Sequence, residues 1–124
     1  MHLEIAVPPE ARAGDSVPIV LRLVNDGSAQ VEVALQGRPV AFDISVTRPD
    51  GSLVWRRLDG ETVTAILQLR ALPAGDTLVF RADWDQTDAS GRPVPPGKYL
   101  VTGVLPSDPP QVFTAGPVKL RVRR

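Results

Sequence analysis

Residues 42–105 read FDISVTRPDGSLVWRRLDGETVTAILQLRALPAGDTLVFRADWDQTDASGRPVPPGKYLVTGVL. Short runs of alternating apolar and polar residues are cut by Gly, Pro and Asp. A period of two puts the apolar side chains on one face of a strand, and the interruptions are those of tight turns. Two runs carry the chain's only tryptophans, Trp55 and Trp84, and a third its only tyrosine, Tyr99. Val40, Phe42, Ile44 and Val46 alternate with Ala41, Asp43, Ser45 and Thr47. Pro49-Asp50-Gly51 then turns the chain, and Leu53 to Arg57 returns as the second arm of a hairpin. Leu58-Asp59-Gly60-Glu61 and Pro73-Ala74-Gly75-Asp76 are further turns. They bracket a strand through Val63, Ala65, Leu67 and Leu69. Leu78, Phe80, Ala82 and Trp84 line one face of the next strand. The polar stretch from Asp85 to Gly97 is the longest expected loop.

The same pattern extends outward. Leu3, Ile5 and Val7 alternate until Pro8-Pro9, and Arg12 to Asp15 is a turn. Val17, Ile19, Leu21 and Leu23 follow. Pro18 has no N–H for a ladder, so its end of that strand belongs at an edge or ahead of pairing. Asn25 to Ser28 turns again before Val31, Val33 and Leu35, and Gly37-Arg38-Pro39 breaks the run. After the central stretch come a strand from Lys98 to Leu105 and a loop from Pro106 to Pro110. One last strand or pair of strands then runs from Gln111 to Arg123 around Gly116-Pro117. No helical period survives beyond one turn. These runs predict an all-β antiparallel sandwich of eight or nine strands, a single domain over residues 1–124, its two layers roughly 10 Å apart. Ile19, Leu21, Phe42, Ile44, Trp55, Leu67, Phe80, Trp84, Tyr99 and Val101 are the expected inward residues. Tyr99, just after Pro96-Gly97, is placed for a tyrosine corner, its hydroxyl bonded to upstream backbone.

Composition narrows the chemistry. The chain has 124 residues, with 14 Lys plus Arg against 14 Asp plus Glu, so it has no overall electrostatic preference for nucleic acid or anionic lipid. The basic ending KLRVRR reads as a strand with Val118, Leu120 and Val122 inward and an edge-protecting charged face. Cysteine is absent, which removes disulfides, thiolate metal sites and a cysteine nucleophile. The only histidine is His2, and there is no nucleophile-elbow motif, so no ordinary triad can be assembled. Asp83 and Asp85 share a strand face but flank a turn. Asp83 to Asp88 lacks the glycine and glutamate of an EF-hand loop, so Asp85 and Asp88 are expected to accept backbone hydrogen bonds instead. The expectation is a non-enzymatic chain with no catalytic residue, metal site or cofactor. The first residues do not have the pattern of a signal peptide. A cytoplasmic location is expected, with an exported domain whose signal has been trimmed as the alternative.

Val54-Trp55-Arg56, Trp84-Asp85-Gln86 and Pro96-Gly97-x-Tyr99, in this order and spacing, resemble the intracellular proteinase inhibitor family, the BsuPI domains. AGDSVPIVLRLVNDGSAQVEVAL resembles that family's opening strands, so the likeness covers nearly the whole chain. It implies the immunoglobulin-like sandwich and, as an activity, inhibition of an intracellular subtilisin-like serine protease. The family often carries an aromatic and a glutamine near the positions of Val63 and Ala65, where this chain departs from it. A substrate-like inhibitor needs an exposed segment rigid enough to resist turnover. Two segments fit by composition: Arg56, Arg57 and Leu58, with a leucine for an apolar primary pocket, and Pro93, Val94, Pro95 and Pro96, stiffened by proline. The expected partner is a serine protease, and the expected state a monomer or weak homodimer. The alternative is an interaction or scaffold module that pairs through an open sheet edge without inhibiting anything.

Overall fold

The computed structural model describes residues 1–37, 40–59, 61–62, 65–108 and 111–124. Among them run ten strands: β1 (His2–Ala6), β2 (Glu10–Arg12), β3 (Val17–Val24), β4 (Val31–Gln36), β5 (Asp43–Thr47), β6 (Leu53–Arg56), β7 (Leu67–Leu72), β8 (Thr77–Trp84), β9 (Gly97–Asp108) and β10 (Gln111–Arg123). They form an immunoglobulin-like sandwich of two sheets. One sheet has the order β1-β3-β8; the other runs β2-β10-β9-β4-β7.

The second sheet forks. Strand β9 pairs along one side with β10. On its other side it meets β5 from Thr47↔Leu100 to Asp43↔Val104, and β4 only at Ala34↔Asp108 and Leu35↔Ser107. β5 and its hairpin mate β6 therefore occupy one half of that flank, and β4 and β7 the other. The hairpin turn is closed by the Gly51 amide bonding to the Arg48 carbonyl at 2.9 Å and by Asp50 Oδ1 accepting the Ser52 amide at 2.9 Å.

The alternation read from the sequence does set the interior. Ile19, Leu21, Ile44, Trp84 and Val101 are fully buried, with Phe42 and Tyr99 nearly so, and a buried side chain of this size stabilises by about 1.5–3 kcal/mol. The indole of Trp84 has Tyr99 edge-on at 5.8 Å and Trp55 tilted at 6.3 Å, aromatic geometries that add to simple burial. Strand β9 crosses Leu21 at Gly103. A Cβ there would stand 2.3 Å from Leu21 Cδ2, so any larger residue would have to push the buried Leu21 side chain aside.

Several expectations need correcting. The strands number ten because Glu10–Arg12 pairs in parallel with Arg121–Arg123 at the end of β10. Arg12 thus ends a short strand before the Asp15 amide bonds back to its carbonyl. Pro106 and Ser107 belong to β9 rather than to a loop, since Pro106 faces Val112 across the ladder. Residues 111–123 form one strand with a register shift between Ala115 and Val118. Pro18 lies inside β3, opposite Asp83, yet beyond the end of β1, whose pairing stops at Ala6↔Val20. Its missing donor therefore faces no partner on that side. Trp55 and Phe80 are only partly buried, because among the described residues β6 and β8 each pair on one side only, and Leu67 is 52% exposed because β7 turns Gln68 and Leu72 inward and leaves Leu67 and Leu69 on its outer row. Asp43, expected to point outward, is 8% exposed. Arg38, Pro39, Gly60 and Val63 lie outside the described residues.

Candidate functional site

Both candidate segments lie where strands hand the chain to the sandwich rim. The first follows β6. Asp43, at the start of β5, turns its carboxylate toward the chain leaving β6. Oδ2 accepts Arg56 Nε at 3.0 Å and Nη2 at 2.6 Å, while Oδ1 accepts the Leu58 amide at 3.1 Å and the Ile44 amide at 2.9 Å. The hydrogen bond from Arg56 to Asp43, reinforced by the opposite charge, holds the Arg56 guanidinium above its ordinary pKa. Arg57 takes the other side. Its Nη1 donates to the Phe42 carbonyl at 2.6 Å, and its guanidinium carbon sits 3.7 Å above the centre of the Phe42 ring, a cation–π arrangement. Burial there pulls the Arg57 pKa down, and the charges of Asp43 and Glu61 oppose that shift. The Asp59 amide bonds to the Arg56 carbonyl at 3.3 Å and the Glu61 amide to the Leu58 carbonyl at 3.0 Å. Arg56 is exposed, and Arg57 and Leu58 are half-buried. The turn is thus bound to Phe42 and to the start of β5 by side chains that the sequence alone does not pair.

The second segment is part of a loop built from its own polar residues. Asp85 Oδ1 accepts the Thr87 amide and hydroxyl. Asp88 Oδ1 accepts the Ser90 amide at 2.9 Å, the Ser90 hydroxyl at 2.6 Å and the Arg92 amide at 3.1 Å. The Ser90 hydroxyl and these amides hold the Asp88 carboxyl below its usual pKa. Asp85 and Asp88 therefore serve loop backbone, as the sequence suggested. Gln86 has a positive φ of 62° and is 2% exposed. Its Nε2 donates to the Arg12 and Asp15 carbonyls at 2.8 and 2.9 Å, which ties the loop to the β2–β3 turn. The Val94 amide bonds to the Gln86 carbonyl at 2.9 Å, Trp84 Nε1 to the Thr87 carbonyl at 2.9 Å, and the Tyr99 hydroxyl to the Pro95 carbonyl. The last is the tyrosine corner. Pro93, Pro95 and Pro96 are exposed, while Val94 is 7% exposed and packed into the core.

The two segments are held on different supports. Arg56 to Leu58 rest on Asp43 and Phe42, and Pro93 to Pro96 on Gln86 and Tyr99. Sequence reasoning named both as candidates but did not name Asp43 and Gln86 as the residues that fix them. Asp43 was legible only as the polar member of an alternation. Gln86 had one signal, its place after Trp84-Asp85.

The family described as intracellular proteinase inhibitor, BsuPI, matches residues 5–109. The chain belongs to this inhibitor family. Membership implies a proteinase inhibitor's role rather than an enzyme's, and a protease as partner. Residues of three short motifs named above make contacts here: Arg56 reaches Asp43, Gln86 clamps the loop, and Tyr99 closes it. Comparison with curated proteins gives no match. Among solved structures, a β-glucosidase from Listeria innocua in complex with glucose is similar at 16% identity and a TM-score of 0.50, over 99% of this chain and 16% of that one. An alkylpurine DNA glycosylase from Pseudomonas fluorescens, bound to DNA containing an abasic site analog, is similar at 16% identity and 0.49, over 99% of this chain and 29% of that one. The CARDB domain of a Pyrococcus furiosus protein, in complex with di-metal ions, is similar at 14% identity and 0.49, over 98% and 86%. The inhibitor-family chain spans less than a third of the glycosylase and of the glucosidase. At this identity the likeness to the glucosidase concerns the fold alone.

Proposed function

We propose that residues 1–124 form one domain that reversibly blocks a subtilisin-like serine protease in the cytoplasm. The turn Arg56-Arg57-Leu58 makes the primary contact, and Pro93 to Pro96 a secondary one. The observation that carries this reading is the double anchoring of the turn: Asp43 holds Arg56 and the Leu58 amide, and Phe42 holds Arg57. A segment fixed before binding loses little further entropy in a protease cleft. Leu58 supplies an apolar side chain for an apolar primary pocket. The family's description as intracellular supports the location.

The test is titration of an intracellular subtilisin with the purified protein. Stoichiometric loss of protease activity is expected, weakened in Leu58→Asp with the fold unchanged. Full activity at a large molar excess would overturn the reading.

A further inference from the structure

The outer face of the larger sheet carries a trough of about 380 Å³ at the end where β9 begins and β10 finishes, a size at which small-molecule pockets start. Strand alternation sets its floor. Tyr99, Val101, Leu120 and Val122 are buried, which turns Lys98 and Leu100 of β9 and Lys119 and Arg121 of β10 outward. Across the ladder Lys98 stands opposite Arg121, and Leu100 opposite Lys119. Pro9, whose carbonyl accepts the Arg121 amide at 2.9 Å, forms the wall beside β10. Pro49, in the turn after β5, forms the wall beside β9. Both walls are rings whose backbone is already stiff.

The cations of this floor have no countercharge. None of the lining residues is an aspartate or glutamate. Lys98, Lys119 and Arg121 take part in no ion pair among the described residues. Glu10, the neighbour of Arg121 on β2, turns to Arg123 Nε at 3.7 Å instead. Like charges directly opposite each other weaken a ladder, yet Lys98 and Arg121 are so placed. Edge protection does not account for Arg121, because β10 is paired there on both sides, with β9 and with β2. The four outward positions form a small grid. Cross-strand neighbours lie about 5 Å apart, and alternate residues of one strand about 7 Å. Side chains as long as Lys and Arg at three corners can therefore close on a single anionic group. Leu100, half-buried at the fourth corner, and the two prolines offer an apolar surface beside it.

We propose that this trough binds a small organic anion: a compact apolar body carrying one carboxylate, sulfonate or phosphate group. The body lies on Leu100 between Pro9 and Pro49, and the anionic group sits among Lys98, Lys119 and Arg121. Shape selects this occupant as well as charge. An apolar floor between stiff walls suits a small body, and three cations within reach of one point suit a single head rather than a row of charges. Nucleic acid fits poorly, since the one aromatic residue of the lining, Tyr99, is 3% exposed and leaves no stacking platform. Binding also relieves the repulsion between Lys98 and Arg121, so it stabilises the folded chain. This inference rests on no protease contact and is tested without a protease.

The probes are anilinonaphthalene sulfonate and its uncharged counterpart N-phenylnaphthylamine, fluorescent molecules that share one apolar body. The sulfonate should saturate a single site, bind at least about tenfold more tightly than the amine, and raise Tm. In NMR spectra the amides of residues 98–100 and 119–121 should shift. Lys98→Glu gives Arg121 a partner of opposite charge across the ladder. It should melt no lower than the parent, bind the sulfonate at least about tenfold more weakly, and leave the amine unaffected. Leu100→Ala should weaken both probes alike. Equal affinity for the two probes, shifts centred away from β9 and β10, undiminished sulfonate binding by Lys98→Glu, or a short oligothymidylate that binds more tightly than the sulfonate would each overturn the proposal.

Discussion

Replacing Asp43 with alanine removes one carboxylate that serves three groups. The Ile44 amide is buried and the Leu58 amide partly so, and both lose their acceptor. A buried donor left without a partner costs about 1–3 kcal/mol. The Leu58 amide can recover some water, so the two together come to about 2–4 kcal/mol. The guanidinium of Arg56 is half exposed and is rehydrated when its partner goes, so the ion pair adds the smaller part. For a domain of this size about 1 kcal/mol moves Tm by roughly 4 °C, so Asp43→Ala should melt about 8–16 °C lower by circular dichroism. Asp43→Asn keeps an oxygen for the two amides while losing the charge, and should recover more than half of that drop. Arg56→Ala should cost less than half of what Asp43→Ala costs. If Arg56→Ala destabilises as much as Asp43→Ala, the ion pair and not the amide acceptance holds the turn, and the reasoning fails.

Tyr99→Phe removes the hydroxyl bonded to the Pro95 carbonyl and should destabilise by about 1 kcal/mol; superimposable thermal melts would dismiss the corner's role. Gly103→Ala drives a methyl group into Leu21 and should cost about 1–3 kcal/mol, read from urea unfolding midpoints, with an unchanged midpoint as the contrary result. Hydrogen bonds to Asp26 and then Glu4 raise the His2 pKa above 6.5. NMR titration should show this, and Asp26→Asn should lower it. The sign follows: a raised folded pKa favours the folded state at pH below 6.5, and this contribution fades as pH rises through the higher folded value. A His2 pKa indifferent to Asp26→Asn would count against the contact.

Much of the architecture was legible in the chain itself. The two-residue period told which side chains share a face, and Pro, Gly and Asp told where the chain turns. Ile19, Leu21, Ile44, Trp84 and Val101 accordingly went inward. The corner at Tyr99 was readable because its acceptor is only four residues away. Backbone capping by Asp85 and Asp88 was equally local.

What the chain did not disclose was which faces would be covered. Leu67 and Ile44 sit in similar alternations, yet one is half exposed and the other sealed, because β5 packs beside β9 with Ile44 inward while β7 turns Leu72 inward and leaves Leu67 and Leu69 on its outer row. Asp43 looked like a solvent-facing residue until folding brought it to Arg56 and the Leu58 amide, and Gln86 found its acceptors more than 70 residues back. Periodicity is a property of neighbours along the chain. Burial and anchoring are set by pairings between distant strands, and only the packed molecule decides those.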